Sequence, residues 1–173
     1  AVWLSLLGSD GSEEIFWHKL SAQIGKLFPE AGRELAMLGF PADPPQTVRV
    51  IETFGNLDNR FDTVIVIDDY HLIDQNQQVN VFLELLVQEN LPHLHIVLLS
   101  RTRPKLNKIN LFSKNLCYSI DSRTLAFTSH EVEQYLTLMG CEATPGDLEK
   151  ISNYTGGWIS AVFLIAHGLK RGL

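Results

Sequence analysis

Two adjacent carboxylates, Asp68 and Asp69, directly follow the apolar run 64–67. In an open parallel sheet, ligands bind just beyond the carboxyl ends of the strands, where a buried strand would deliver both side chains. One acid there can hold Mg²⁺ through oxygen or water ligands, and a second can orient water for attack on a phosphate. The alternative is a strand that runs into an Asp-rich turn, and the motif alone leaves both open. Asp62 lies outside this pair, and Asp74 is expected to cap a helix.

A second candidate for phosphate chemistry is Arg101, which follows the apolar run 95–99 and Ser100. An arginine at the end of a parallel strand points into the same crevice, where its guanidinium can bind a terminal phosphate. A surface arginine, or one that pairs with Asp68 or Asp69, explains the same position. Both interpretations therefore stay open.

Other patterns that carry chemistry are missing from the sequence. The phosphate-binding pattern GxxxxGK[ST] is absent, because Gly25-Lys26 has no correctly placed upstream glycine and falls within a predicted helix. There is no GxSxG elbow of the kind that carries a nucleophilic serine. Cys117 and Cys141 form no CxxC pair, so we expect reduced thiols and no zinc site.

The spacing of apolar residues predicts strands that alternate with helices. Strands are predicted at 2–7, 63–67 and 95–99, with a further candidate at 116–120, and helices at 12–27, 43–54, 77–89, 128–139, 144–156 and 158–169. Near-continuous apolar strands are typical of a parallel sheet that is covered on both faces. The predicted fold class is therefore α/β. We assign residues 1–127 to the α/β core and residues 128–173 to a small helical extension.

Local signals in the helical extension concern structure rather than chemistry. Thr128 and Glu131 are spaced as a capping box at a helix start. Gly156 and Gly157 are expected to separate two helices, and Trp158 is expected to be a core residue rather than a ligand contact.

The composition excludes several classes of partner. The chain of 173 residues has a net charge of −6, and its basic clusters are short and interrupted, so we expect no direct binding to nucleic acid. No apolar run approaches the length that spans a bilayer, and the first residues lack the features of a signal peptide. A cytoplasmic location and no membrane partner are therefore expected.

The order of the motifs resembles one known family along nearly the whole chain. The sequence has, in order, VWLSL, IFWHKL, TVIVIDDYHLI, LPHLHIVLLSRTRP, LAFTSHEVEQYL and YTGGWISAVFLIA. This set is similar to the NTPase domain of maltose-activator-like transcriptional regulators, a branch of the STAND signal-transduction ATPases that is often grouped loosely with the LuxR family. The resemblance implies a three-layer, parallel-sheet P-loop NTPase-like core with a small helical appendage.

The resemblance also implies a role for each candidate residue. Asp68 would be the Walker B acid, which binds the Mg²⁺ of Mg-ATP, and Asp69 would be the catalytic acid that polarises the attacking water. Arg101 would bind near the γ-phosphate of ATP. The segment 155–158 corresponds to a TEGW-like motif, with Gly156 in place of the usual acid. In this family, inducer and DNA are bound by other domains of the intact protein.

One departure from the family concerns the first residues. The family carries a strand and the Walker A loop immediately before the strand that corresponds to VWLSL, and neither is present in these 173 residues. The absence of an initiator Met suggests a cut. Without the N–H groups and the lysine of that loop, we expect a fragment with no bound ATP or Mg²⁺ and no useful turnover.

The departure also bears on assembly and on alternative functions. The absent strand would lie between the strands at 95–99 and 116–120. We therefore expect either direct pairing of those two strands or self-association through exposed edges. For the intact protein, the resemblance implies a slow ATPase that couples ATP binding to oligomerisation and transcription activation. The alternatives are a degenerate NTPase-fold module that binds proteins, and an α/β enzyme without a P-loop.

Overall fold

The computed structural model describes residues 1–57 and 60–171. The chain divides into two compact units, Ala1–Tyr118 and Ser119–Leu173. The domain boundary predicted after residue 127 stays a prediction, and residues 172 and 173 of the predicted extension lie outside the described residues.

The first unit is built on a parallel sheet. Its strands β1 (Val2–Ser5), β2 (Thr63–Asp68) and β3 (Leu94–Leu98) lie in the order β1-β2-β3. Both pairings are parallel, with Ser5 opposite Asp68 and Ile67 opposite Leu98. β2 is the central strand, and its almost continuously apolar sequence TVIVID is typical of a strand inside a parallel sheet. The α/β class predicted from the sequence is confirmed.

Five helices surround this sheet in the part of the first unit that the structure describes. They are α1 (Glu13–Leu27), α2 (Pro29–Leu38), α3 (Pro44–Gly55), α4 (Gln77–Gln88) and α5 (Lys108–Ser113), with a 3-10 turn at Tyr70–Leu72. Ser12 caps α1 and Asp43 caps α3, each by accepting a backbone N–H. The helix α2 was not predicted, and Pro29 occupies its first turn.

The core of the first unit lies on one face of the sheet. Val2, Leu4, Ile65 and Ile67 point into it and are at most 2% exposed. An edge-to-face aromatic cluster packs in the same core, formed by Trp17, Phe40 and Phe82.

The opposite face of the sheet is less covered. Successive side chains of a strand point to opposite faces, and Trp3, Val66 and Val97 are partners in register on this second face. Trp3 is 50% exposed and Val97 is 39% exposed. The described structure therefore leaves apolar side chains of this face in contact with solvent.

The second unit is helical. It contains α6 (Ser122–Leu125), α7 (Ser129–Leu138), α8 (Pro145–Thr155) and α9 (Ile159–Lys170). The predicted capping box of Thr128 and Glu131 is confirmed, and Thr144 and Asp147 form a second one at α8. The small core consists of residues from α7, α9 and the loop after α7, namely Val132, Leu136, Cys141, Val162 and Ala166.

The glycines of this unit end a helix as predicted, but the prediction for Trp158 is wrong. Gly156 is the C-cap of α8 at φ +56°, and Gly157 follows at φ +74°. Trp158 is 53% exposed and begins α9 as its N-cap residue. The bend made by the two glycines leaves the indole half in solvent instead of directing it into the small core.

The candidate strand at 116–120 is also wrong. The structure has no strand there, and Tyr118 and Ile120 are 84% and 60% exposed. An isolated strand has no backbone partner, and the only neighbour of β3 in the described sheet is β2. Direct pairing of the segments 95–99 and 116–120, one of the two expected ways to close the sheet, is therefore not what the chain does.

Among the helices of the described residues, none combines the length and the apolar character that a bilayer-spanning helix requires.

Candidate functional site

The carboxyl edge of the sheet carries the residues predicted to do chemistry. Asp68 is the last residue of the central strand β2, and its backbone is fixed there because its carbonyl accepts the Leu6 N–H at 3.2 Å. Its side chain is partly buried, and Oδ1 accepts the backbone N–H of Asp69 at 2.9 Å. The carboxylate is thus held at the position from which an open parallel sheet binds ligands.

Asp69 turns the chain sharply just beyond the strand. It is in the left-handed region, at φ 56° and ψ 37°, where a non-glycine residue is uncommon and costs about 1–2 kcal/mol. The side chain makes no capping hydrogen bond to the following 3-10 turn. Its Oδ1 instead lies 3.8 Å from His71 Nδ1 and 3.7 Å from Arg101 Nε. A strained backbone that aims a carboxylate at two nitrogen-bearing side chains is typical of a functional position.

Arg101 lies close to Asp69, which was one of the two interpretations left open by the sequence. The arginine follows β3, and its side chain is 79% exposed while that of Asp69 is 39% exposed. An ion pair this accessible to water contributes at most about 1 kcal/mol. The guanidinium can therefore exchange its carboxylate partner for a phosphate at low cost, so the geometry leaves the phosphate-binding interpretation available.

His71 was not among the residues predicted for the site. This residue lies in the 3-10 turn after Asp69, and its Nδ1 atom is buried without a hydrogen-bond partner. A buried nitrogen without a partner is costly unless a nearby group can accept its proton or donate to it. The carboxylate of Asp69 is the candidate partner at 3.8 Å. A histidine two positions after a pair of strand-end carboxylates was the signal in the sequence.

A second missed group closes the loop after β1 at this same edge. Asp10 is 3% exposed, forms an ion pair with Lys19 and accepts the Leu7 N–H at 2.6 Å. Burial acts to raise the pKa of Asp10. The hydrogen bonds from Lys19 and from the Leu7 backbone outweigh that effect, and the net pKa lies below the ordinary value of 3.8.

Asn76 connects this loop to the segment after β2. Its side-chain amide donates to the Gly11 carbonyl at 3.3 Å and to Glu13 at 2.8 Å. The Asn76 Oδ1 atom accepts from the first turn of α4 and caps that helix. The prediction that Asp74 caps a helix is therefore wrong, because Asn76, two residues later, reaches the free N–H groups first.

The carboxylate oxygens at this edge suit magnesium more than a transition metal. Mg²⁺ in nucleotide sites is held by one or two carboxylates together with phosphates and waters, and Asp68 offers such an oxygen ligand. Within residues 1–57 and 60–171, no group of three His, Cys, Asp or Glu side chains is arranged to hold a metal ion. Asp68 thus fits the carboxylate ligand of a metal that is shared with phosphates.

The predicted residues fall in different units. Asp68, Asp69 and Arg101 lie together in the first unit, at the carboxyl ends of two neighbouring strands. The segment 155–158 belongs to the second unit, where it forms the bend between α8 and α9.

Comparison with known proteins gives several curated relatives. The chain is 31% identical over 103 residues to the HTH-type transcriptional regulator MalT of Yersinia pestis (strain Pestoides F), which is 59% of this chain and 11% of that protein. It is 33% identical over 108 residues to the HTH-type transcriptional regulator MalT of Cronobacter sakazakii, which is 62% of this chain and 12% of that protein. No protein-family model matches the chain.

The chain thus spans 11 to 12% of the length of these relatives. The similarity does cover 59 to 62% of the chain, at an identity of 31 to 33%. The resemblance to the maltose-activator-like transcriptional regulators, first suggested by the order of the motifs, is confirmed over that part of the chain.

Proposed function

We propose that this chain is part of the ATP-binding signal-transduction domain of a transcriptional regulator. The observation that carries the proposal is the geometry at one sheet edge: Asp68 and Asp69 at the end of the central strand, with Arg101 of the next strand 3.7 Å from Asp69. The relatives, named HTH-type transcriptional regulators, support transcription as the process.

Each residue has a distinct role in this proposal. Asp68 would hold Mg²⁺, which would neutralise phosphate charge when bound. Asp69 orients and polarises a water molecule, and His71 Nδ1 lies 3.8 Å from its carboxylate. Arg101 leaves Asp69 and binds the terminal phosphate, so that the bound nucleotide decides which partner it has. Phosphoryl transfer depends mainly on such positioning and on charge stabilisation, which this arrangement can provide.

The phosphate-binding loop has to come from outside these residues. No GxxxxGK[ST] occurs in the sequence, and the backbone N–H groups and lysine of that loop make the strongest contacts to the phosphates. We therefore expect this stretch alone to have negligible affinity for Mg-ATP. In the intact regulator, nucleotide binding would be coupled to oligomerisation, with inducer and DNA bound by other domains.

A second candidate function is a module that binds protein partners without nucleotide. The observation that favours it is the exposed second face of the sheet, with Trp3 50% and Val97 39% exposed, beside an edge of β3 without a neighbour in the described sheet. Exposed apolar faces and unpaired edges mark surfaces for association. The same surface supports self-association of the chain, which sedimentation velocity over a hundredfold concentration range would detect.

Calorimetric titration of Mg-ATP distinguishes these candidates. In a polypeptide of the source protein that contains this chain and a GxxxxGK[ST] loop, we expect saturable binding. Asp69→Asn should retain that binding and stop hydrolysis, and Arg101→Ala should remove the preference for ATP over ADP. Absence of binding, or hydrolysis that is unaffected by Asp69→Asn, would rule out the switch.

With this chain alone we expect no heat, and saturable binding that Asp68→Ala abolishes would contradict the need for a separate loop.

A further inference from the structure

A buried carboxylate that the proposed reaction does not use lies next to the candidate site. Asp74 is 4% exposed, and no basic side chain of the described residues lies within the 4.0 Å of an ion pair. Its carboxylate accepts hydrogen bonds from the Gln75 amide at 2.9 Å and from the Thr102 hydroxyl at 3.3 Å. A buried carboxylate without a countercharge is costly, so its position calls for a reason.

The segment that contains Asp74 is fixed by buried hydrogen bonds. The Tyr70 hydroxyl donates to Asn80 Oδ1, and the Asn80 amide donates to the Asp74 carbonyl at 2.9 Å. Tyr70 is 0% exposed, and its backbone N–H donates to the Leu99 carbonyl at 2.9 Å. Burial, with smaller effects of the Asp74 and Glu84 carboxylates, raises the pKa of Tyr70, so its phenol stays a hydrogen-bond donor. This part of the chain is thus a rigid support.

The partner of Asp74 belongs to the other half of the site. Thr102 is the residue directly after Arg101, and its backbone N–H is bonded to Ser100 Oγ at 3.4 Å. Two bonds therefore join the segment that starts at Asp69 to the segment that carries Arg101. The Tyr70–Leu99 backbone bond lies before Arg101 in the second segment, and the Asp74–Thr102 bond lies after it. The direct contact between Asp69 and Arg101 is solvent-accessible and too weak to fix the distance between those segments.

We infer that Asp74 and Thr102 are positioning residues that set the reach of Arg101. This inference rests on the proposed function, which it deepens by naming what holds the phosphate-binding arginine. When Arg101 leaves Asp69 for a phosphate, the Thr102 hydroxyl stays bonded to Asp74. The guanidinium then moves by rotation of its own side chain, while its backbone remains fixed. Without that bond, the chain would be held to the Asp69 segment only at Leu99, before Arg101, and the arginine would sample more positions.

Thr102→Val removes the hydroxyl while keeping the shape of the side chain, and Thr102→Ser keeps the hydroxyl. Thr102 is an exposed position, so both variants should fold. In this chain without nucleotide, we expect ¹⁵N relaxation to show increased motion of the Arg101 backbone amide in Thr102→Val and not in Thr102→Ser. Equal relaxation in the two variants would overturn the inference, whatever the chain does with ATP.

The functional measurement uses the longer polypeptide with its phosphate loop. We expect Thr102→Val to slow single-turnover ATP hydrolysis about tenfold, the loss typical of one hydrogen bond to a charged group. The Kd for ADP should stay unchanged, and Thr102→Ser should retain most of the rate. Combined with Arg101→Ala, Thr102→Val should cause no further loss, because it acts through that arginine.

The two hypotheses fail differently in these measurements. Absence of ATP binding by the longer polypeptide, with Arg101 still mobilised by Thr102→Val, would overturn the proposed function and leave the positioning role standing. ATP hydrolysis that depends on Asp69 and Arg101 but is equal in Thr102→Val and Thr102→Ser would overturn the positioning role and leave the proposed function standing. Additive losses in the double variant would likewise show that Thr102 does not act through Arg101.

Discussion

Gly32 of α2 lies so close to Gly25 of α1 that a Cβ atom on Gly32 would fall 2.3 Å from the Gly25 Cα and 2.9 Å from the Ser21 carbonyl oxygen. The clash would be with backbone, which has no freedom to rotate away. A Cβ on Gly25, in contrast, would meet only the Gly32 Cα at an ordinary 3.5 Å. The two glycines of this helix crossing therefore differ in what they tolerate.

We expect Gly32→Ala to lower the free energy of unfolding by about 1–3 kcal/mol, because the helices must separate to admit the methyl group. Gly25→Ala is the matched control, and it should be neutral or stabilise the chain by up to about 1 kcal/mol through helix propensity. Urea denaturation followed by circular dichroism measures both. Equal stability of the two variants would contradict this account of the crossing.

A comparable close approach occurs in the second unit, at Gly157. Its φ of +74° disfavours an L side chain, and a Cβ would lie 2.3 Å from the Phe127 carbonyl oxygen. We expect Gly157→Ala to destabilise the second unit by about 1–3 kcal/mol. Gly168→Ala in α9, where a Cβ would meet nothing within 4 Å, should cause no loss. Amide hydrogen exchange across α7–α9 reports the difference, and unchanged protection in Gly157→Ala would refute it.

The pKa of Asp10 predicts how the first unit responds to acid. The folded chain holds this carboxyl group ionised to a lower pH than the ordinary value of 3.8. The unfolded chain therefore binds the proton first as pH falls. The resulting stabilisation is fully present above the unfolded pKa and is lost as the pH falls through the folded pKa.

Asp10→Asn should therefore reduce the acid sensitivity of the unfolding free energy below about pH 4. It should also lower stability at neutral pH, since the bonds to Lys19 and to the Leu7 backbone are weakened. Glu34→Gln, at an exposed position on α2, serves as the control. An identical pH profile for Asp10→Asn and the unmodified chain would show that this carboxylate does not determine the acid response.

The left-handed backbone of Asp69 predicts a separation of stability from chemistry. Asp69→Val places a β-branched side chain in that region and should lower the free energy of unfolding by about 1–2 kcal/mol. Asp69→Asn, which tolerates the same backbone, should change it by less than about 0.5 kcal/mol. Thermal unfolding of both variants tests this. Equal melting temperatures would mean that the turn relaxes to another conformation.

Local signals predicted the central part of the fold well. The β-branched run before Asp68 is typical of a strand inside a parallel sheet, and β2 is the central strand of that sheet. The helix starts at Ser12 and Thr128 were also predicted correctly, because a capping bond is local. Each side chain accepts a backbone N–H from the residue three positions later. The segment 116–120 has a suitable composition, but a strand also needs a hydrogen-bonding neighbour, and none lies beside it in the described sheet.

The candidate site was only partly predictable, because some of its contacts depend on how distant parts of the chain fold together. Asp68, Asp69 and Arg101 could be placed at one edge because parallel strands end on the same side of a sheet. His71 could be recognised only from the structure, in which the turn buries its Nδ1 atom. The bond between Asp74 and Thr102 joins residues 28 apart in the sequence, and neither spacing nor composition indicates such a contact.

The buried thiol of the second unit is a probe of how often that unit opens. Cys141 is 8% exposed and its Sγ atom lies 3.4 Å from the Ala166 carbonyl oxygen, within the small helical core. A thiol in this position reacts with an alkylating reagent only while its surroundings are open, so its labelling rate reports the opening equilibrium. Cys117 is partly exposed and lies in the first unit, so its labelling rate reports on that unit separately. One labelling experiment on the unmodified chain thus follows two parts of the molecule at once.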